Sequence, residues 1–173
     1  MEVYECVRAR ETVRRFTPDP VPDAVIARLL RAGRWAPSSR NQQPWHFVVV
    51  KERDTLESLG RIATHGRFLG DAPLAIAVAM DGSDRPELDA GRVLQQMELV
   101  AWEEGMGTCF VTLLESDQEA RAKELLGIPE HMDLVTVLPF GYRPDGPTGR
   151  GKRRKPLSSM VHGERFGQQY AGQ

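Results

Sequence analysis

The stretch RWAPSSRNQQPWHFVVV, residues 34–50, joins a strongly polar loop directly to an apolar segment. The loop contains short side chains that can donate or accept hydrogen bonds, namely those of Ser38, Ser39, Asn41 and Gln43. Residues 45–51 (WHFVVVK) are apolar enough to form a buried strand. Serine and asparagine are common in turns, so the loop either stabilises its own backbone or binds a small ligand beside the core.

Around this stretch, hydrophobic periodicity predicts helices and strands that are mixed along the chain. Helices are expected at residues 2–9, 22–35, 54–63, 86–105 and 117–127. Strands are expected at residues 45–51, 74–80, 108–114 and 133–141. This order favours one sheet covered by helices, within a single domain of residues 1–173. The irregular chain after residue 142 is then either mobile or wrapped around another surface.

The segment RETVRRF, residues 10–16, places Arg10, Thr12 and Arg14 on one side if its backbone is extended. A guanidinium group binds phosphate oxygens through two parallel hydrogen bonds. Two arginines that flank a hydroxyl group could therefore hold a phosphate dianion. A solvated basic patch is the other explanation of this segment.

A second basic cluster, GRGKRRKP at residues 149–156, lies near the other end of the chain. Taken alone, it indicates a mobile tail or a nonspecific patch for nucleic acid. Both basic clusters could instead converge on one phosphate group. The polar loop would then supply contacts to the rest of the same ligand.

Composition narrows the choice of partner. The 173 residues are 40% hydrophobic and carry a net charge of −1, which is ordinary for a globular protein. This charge predicts no nucleic-acid partner, and no apolar run approaches the roughly 18 residues of a membrane span. The N-terminus shows no charged and apolar leader, so a cytoplasmic protein without a membrane partner is expected.

No familiar catalytic or metal-binding motif is present. The sequence lacks GxGxxG, the P-loop motif, GxSxG and HExxH. Cys6 and Cys109 have no metal-ligand spacing, and each is expected to be a small buried thiol. The histidines are scattered, at His46, His65, His131 and His162. No metal site is expected, and redox chemistry would need a cofactor.

Taken together, these segments resemble the FMN-dependent nitroreductase family. The resemblance covers roughly residues 4–166. Within the family, the chain is most similar to the short members, which have no long lid insertion. The quoted segments that carry it are RETVRRFTPDPVP, LLRAGRWAPSSRNQQPWHFVVV, DAPLAIAV, GMGTC, FGYRPDG and KRRKPLSSMVHGERF. The block PSSxNxQPW, in phase with the N-terminal arginines, is the most specific part.

The resemblance implies an α+β fold, a three-layer sandwich whose central mixed, mainly antiparallel sheet is flanked by helices. It also implies an intertwined homodimer with exchanged C-terminal tails and FMN at the subunit interface. The implied FMN-binding residues are Arg10, Thr12, Arg14, Pro37, Ser38, Ser39, Asn41, Gln43, Thr112, Leu113, Lys152 and Arg154. Arg153 and Lys155 are the alternatives to Lys152 and Arg154. Thr112 and Leu113 stand where the family often has glycine, in a segment whose backbone N–H should face flavin N5.

The activity implied by the resemblance is a ping-pong reaction. NAD(P)H would give a hydride to flavin N5, and a nitroaromatic, a quinone or a related small oxidant would then take two electrons. Because the flavin carries the hydride, no catalytic side chain is expected. The alternatives are a non-catalytic flavin carrier or sensor, and a specialised flavin reaction on the same scaffold.

Overall fold

The computed structural model describes residues 1–113, 115–144 and 153–172. Its helices are α1 (Val3–Ala9), α2 (Asp23–Arg34), α3 (Arg53–Ile62), α4 (Pro86–Glu103) and α5 (Ser116–Leu126). Its strands are β1 (Trp45–Val50), β2 (Leu74–Met80), β3 (Met106–Thr108) and β4 (Asp133–Tyr142). The predicted elements are confirmed to within two residues at each end, except for the third strand. None of the described helices has both the length and the apolar character that a membrane span requires.

The strands form one four-stranded sheet in the order β1-β2-β4-β3, and each neighbouring pair is antiparallel. A parallel bridge between Thr12 and Thr108 continues the sheet beyond β3 and makes it mixed. Strand β2, LAIAVAM, is buried along its whole length because both of its faces are covered.

Each face of the sheet has its own core, because successive side chains of a strand point to opposite faces. On one face, Ile76 and Val78 pack with residues of α2 and α4 such as Leu29 and Met97. On the other face, residues of α3 and α5 pack against the small side chains of β2, which are Ala75, Ala77 and Ala79. The result is a helix–sheet–helix sandwich, and the predicted fold class is confirmed.

The third strand is much shorter than the sequence predicted. The apolar run of residues 108–114 favoured a strand, but β3 spans only Met106–Thr108. Residues 109–113 leave the sheet, so the prediction is wrong for this segment.

The end of β3 has a physical cause on its partner strand β4. The Thr108 carbonyl accepts a hydrogen bond from the Val13 N–H at 2.9 Å, so it faces away from β4. In an antiparallel ladder the next residue, Cys109, would face β4 and form a hydrogen-bonded pair with Pro139. Proline has no N–H to donate, so the ladder cannot continue past Thr108.

Apolar surface remains uncovered at both ends of the isolated chain. Almost all of residues 153–172 is exposed, and Phe166 is 92% exposed. The apolar side chains of α1 are also exposed, at Val3, Tyr4 and Val7. The exchange of this tail between two subunits stays a prediction, and the exposed side chains are compatible with it.

Candidate functional site

The segment of residues 10–14 lies beside β3 at the edge of the sheet. Thr12 forms a parallel bridge with Thr108, and the Val13 N–H donates to the Thr108 carbonyl. Val13 is completely buried, whereas Thr12 and Arg14 are exposed. The alternation expected from the sequence is present here, because Val13 anchors the segment and its two neighbours face outward.

Gly107 of β3 allows this close approach. A Cβ atom at Gly107 would overlap with Cβ and Cγ2 of Val13 and would lie 2.9 Å from Val13 Cγ1. Any side chain at this position would therefore push Val13 away from β3. The placement of Thr12 and Arg14 depends on this glycine.

Arg10, at the start of the segment, pairs with Glu98 of α4. Arg10 Nη1 lies 3.4 Å from Glu98 Oε2, and the two side chains are 25% and 14% exposed. Burial raises the pKa of Glu98, and the positive charge of Arg10 opposes that rise. The pair orients Arg10, whose guanidinium carries five N–H donors and so has others available for an anion.

Arg14 lies near Cys109 and Phe68. Burial raises the pKa of the Cys109 thiol, whereas the positive charge of the nearby Arg14 lowers it. The negative charge of Glu98 adds a smaller rise to the same thiol pKa. Arg14 Cζ lies 5.9 Å from the centre of the Phe68 ring, within cation–π range. Arg10 and Arg14 therefore belong to one electrostatic cluster with Glu98 and Cys109, called the arginine cluster below.

The polar loop, residues 38–43, has an unusual backbone. Arg40, Asn41 and Gln43 have φ angles of 51°, 56° and 51°. Left-handed conformations are unfavourable for residues with a side chain, and they concentrate at functional sites. The Gln43 N–H donates to Ser38 Oγ at 2.9 Å, and Gln43 Nε2 donates to the Asn41 carbonyl at 3.3 Å. Ser38 thus stabilises the backbone of the loop, which was one of the two explanations that the sequence left open.

Other polar groups of the loop face solvent. Ser39, Asn41 and Gln43 are exposed. Together with Trp35 and Pro37, the Asn41 and Gln43 side chains line a cavity of 470 Å³. This volume is within the range of sites for small molecules. The loop therefore stabilises its own backbone and also presents donors and acceptors beside a cavity.

Within one chain, the polar loop and the arginine cluster contact α4 at different positions. Arg10 contacts α4 at Glu98, whereas the loop contacts α4 at Arg92, whose Nη1 lies 3.5 Å from the Pro37 carbonyl. These two positions are about 9 Å apart along the helix axis and on different sides of the helix. Among the described residues, no hydrogen bond or ion pair joins the two sets.

The late basic cluster lies only partly within the described residues. Arg153, Arg154 and Lys155 are exposed, and Arg154 Nη1 contacts the Arg153 carbonyl at 3.4 Å. Lys152 lies outside the described residues. The contact of this cluster with a phosphate group therefore stays a prediction.

The fold and these segments match known proteins. A family model described as the nitroreductase family matches residues 7–67 and 63–142, more than half of the chain. This chain belongs to the nitroreductase family. The resemblance recognised in the sequence is thereby confirmed.

Individual members of the nitroreductase family match most of the chain. A protein of Methanothermobacter thermautotrophicus, provisionally named NADH dehydrogenase/NAD(P)H nitroreductase, is 31% identical over an alignment of 156 residues that covers 87% of this chain and 82% of its own length. The crystal structure of a protein of the same provisional name from Parabacteroides distasonis has a TM-score of 0.87 at 28% identity, covering 96% of this chain and 99% of that one. An FMN-dependent nitroreductase from Clostridium difficile has a TM-score of 0.85 at 25% identity, covering 93% and 98%.

Thr112 and Leu113, which the nitroreductase resemblance places beside the flavin, follow β3 in the segment outside the sheet. Thr112 is exposed, and Leu113 packs half-buried against the core under α3 and α5. Between them and β3, Val111 is buried, and its carbonyl accepts a hydrogen bond from Thr136 Oγ1 at 2.8 Å. Because the charge of Arg14 acts on the Cys109 thiol, this segment adjoins the arginine cluster.

Sequence reasoning did not single out Glu98 or Thr136. Glu98 is a carboxylate next to Met97 on the inward side of a helix, and Thr136 is a hydroxyl group inside an apolar strand. Both could have been recognised, because a buried polar group needs a partner. Their partners, Arg10 and Val111, are distant in sequence and became visible only in the folded chain.

Proposed function

We propose that this chain is an FMN-dependent oxidoreductase that uses NAD(P)H to reduce nitroaromatics, quinones or a related small acceptor. The observation that carries the proposal is the convergence of Arg10 and Arg14 beside the segment of residues 109–113. The name of the Clostridium difficile relative includes FMN, and the name of the Methanothermobacter thermautotrophicus relative includes NAD(P)H. The proposal includes a single FMN-binding domain of residues 1–173 and a place in the cytoplasm.

The described residues have the chemistry that FMN requires. Its phosphate is a dianion, to which Arg10 can donate bidentate, charge-assisted hydrogen bonds beside the Thr12 hydroxyl. Glu98 offsets one of the two positive charges, so the cluster keeps a positive balance. The short polar groups of the loop suit the ribityl chain and the edge of a heterocycle.

The proposed site lies between two copies of the chain. The arginine cluster of one copy and the polar loop of the other would together surround one FMN, with Pro37 and Ser39 on the loop side. The different positions and sides at which the two sets contact α4 within one chain are compatible with this arrangement. Exposed apolar side chains at both chain ends, such as Phe166 and Val3, supply surface for a partner. Lys152 and Arg154 of the tail would then reach the phosphate.

Bound FMN supplies a ring that accepts a hydride from NAD(P)H and gives two electrons to the second substrate in turn. The chain's own residues hold the cofactor and set its electrostatic surroundings. Arg10 and Thr12 bind the phosphate, while Asn41 and Gln43 orient the rest of the molecule. Arg14, near Cys109 and Phe68, brings a positive charge, which would stabilise the negative charge that reduction adds.

Purified protein is expected to be yellow, to lose its colour when NADH or NADPH is added under nitrogen, and to regain it with a nitroaromatic or a quinone. Absorbance spectra under anaerobic conditions measure each half of the reaction separately. Bound flavin that neither nicotinamide reduces would favour a carrier or sensor. A colourless protein that neither binds added FMN nor oxidises NAD(P)H would contradict the proposed function.

Sedimentation of the FMN-loaded protein is expected to give a dimer, about twice the chain mass of 19.4 kDa. Phe166→Ala should weaken this dimer by about 10- to 100-fold, because burying a phenylalanine side chain contributes about 1.5–3 kcal/mol. Leu125→Ala, which removes an exposed apolar side chain from α5, is the matched control and should leave the dimer unchanged. A monomer that keeps its FMN would contradict the shared site.

A further inference from the structure

One hydroxyl group connects the segment of residues 109–113 to the sheet. Thr136 of β4 is completely buried, and its Oγ1 donates to the Val111 carbonyl at 2.8 Å. Among the described residues, this is the one hydrogen bond that another element makes to the backbone of the segment. The interior of β4 is otherwise apolar around Thr136, so the buried hydroxyl needs this acceptor.

The same hydrogen bond sets the direction of the next N–H. The Val111–Thr112 peptide is planar and trans, so its C=O and N–H point in opposite directions. Because the carbonyl faces Thr136 inside the fold, the Thr112 N–H points away from β4. No acceptor among the described residues takes this N–H, and Thr112 is exposed. The donor is therefore available to a ligand.

The Val111 side chain restrains this peptide a second time. Val111 is buried against the turn that begins at Gly66, where a Cβ atom would lie 2.8 Å from Val111 Cγ1 and 2.6 Å from Ala63 Cβ. A close contact on the side chain and a hydrogen bond on the carbonyl together limit rotation of the peptide. Its orientation is thus built into the fold before any ligand binds.

We propose that Thr136 is a positioning residue whose hydroxyl turns the Val111–Thr112 peptide so that the Thr112 N–H faces the reacting edge of the flavin. This inference rests on the proposed function and adds to it a residue that touches neither cofactor nor substrate. An N–H donor at that edge can form a hydrogen bond with the lone pair on N5 of the oxidised flavin. After reduction, N5 carries its own hydrogen, so the donor favours the oxidised flavin.

Thr136→Val removes the donor and leaves the Val111 carbonyl without its partner, so the peptide is expected to turn. The equilibrium constant for flavin reduction should then rise by about 2- to 10-fold, the value of one hydrogen bond, and the midpoint potential should become more positive. Thr136→Ser keeps the hydroxyl and should keep the potential of the parent. It loses a buried methyl group, so its thermal stability should fall.

Thr17→Val is the matched control. Thr17 Oγ1 is buried and has no hydrogen-bond partner among the described residues, so this substitution removes a hydroxyl without redirecting a peptide. Its potential should equal that of the parent. If Thr136→Val does not yield folded protein, Gly66→Ala displaces the same peptide through the Val111 side chain and should shift the potential in the same direction.

Potentiometric titration of the FMN-loaded variants, with FMN dissociation constants measured alongside, separates the outcomes. A potential that follows the hydroxyl, shifted in Thr136→Val and not in Thr136→Ser, supports the proposal. Equal shifts in both variants would mean that packing alone matters and would overturn it, as would an unchanged potential in Thr136→Val. A parent protein that binds no FMN would overturn the proposed function itself, and this inference with it.

Discussion

Arg10→Ala is expected to raise the FMN dissociation constant by about 10- to 100-fold, whereas Arg15→Ala should change it little. A hydrogen bond to a charged group contributes about 1.5–3 kcal/mol, or about one to two powers of ten in affinity. Arg10 is oriented by Glu98 at 3.4 Å and is partly buried, so its guanidinium is prepared for the phosphate. Arg15 has the same charge but is exposed, just past the segment that lies beside β3.

Fluorescence titration with FMN at two salt concentrations measures this difference. Arg15→Ala controls for the loss of one positive charge, because its effect should be small and should vanish at high salt. Arg10→Ala also leaves Glu98 without its partner, so the double variant Arg10→Ala/Glu98→Gln separates stability from binding. The double variant should recover stability but not FMN affinity. Equal losses in Arg10→Ala and Arg15→Ala would show that the assigned register of the phosphate site is wrong.

Gly107→Ala is expected to lower both the stability of the protein and its affinity for FMN. The new Cβ atom would overlap with Val13, which is completely buried. Overpacking of this kind costs about 1–3 kcal/mol of unfolding free energy. Displacement of Val13 would also break its hydrogen bond to the Thr108 carbonyl and move Thr12 and Arg14 out of position.

Urea unfolding and FMN titration of the same samples test this prediction. Gly91→Ala is the matched control, because Gly91 lies within α4 and a Cβ atom there would meet no atom within 4 Å. This variant should gain about 0.5–1 kcal/mol, since alanine is the better helix former. A Gly107→Ala protein as stable as the parent, with unchanged FMN affinity, would show that the contact with Val13 does not place the arginines.

Periodicity and turn chemistry predicted most of the secondary structure because they are local properties. The run LAIAVAM predicted β2 to the residue, and the apolar spacing of residues 22–35 predicted α2 to within one residue at each end. The alternation of Arg10, Thr12 and Arg14 indicated an extended segment, and the structure has Val13 buried between exposed neighbours. The nitroreductase family was also recognisable, because its signature segments keep their residue types and order.

The sequence by itself determined which side chains face the core and which polar groups form clusters, since both follow from residue type and spacing. The tertiary structure alone decided which groups meet. Pro139 of β4 ends β3 because it lacks the N–H that Cys109 would need across the ladder. Glu98 meets Arg10, and Thr136 meets the Val111 carbonyl, because buried polar groups take whatever partner the packing of distant elements brings near. The spacing of residues along a chain indicates the face of the helix or strand on which each residue lies. It does not indicate which residue of another element will pack against that face.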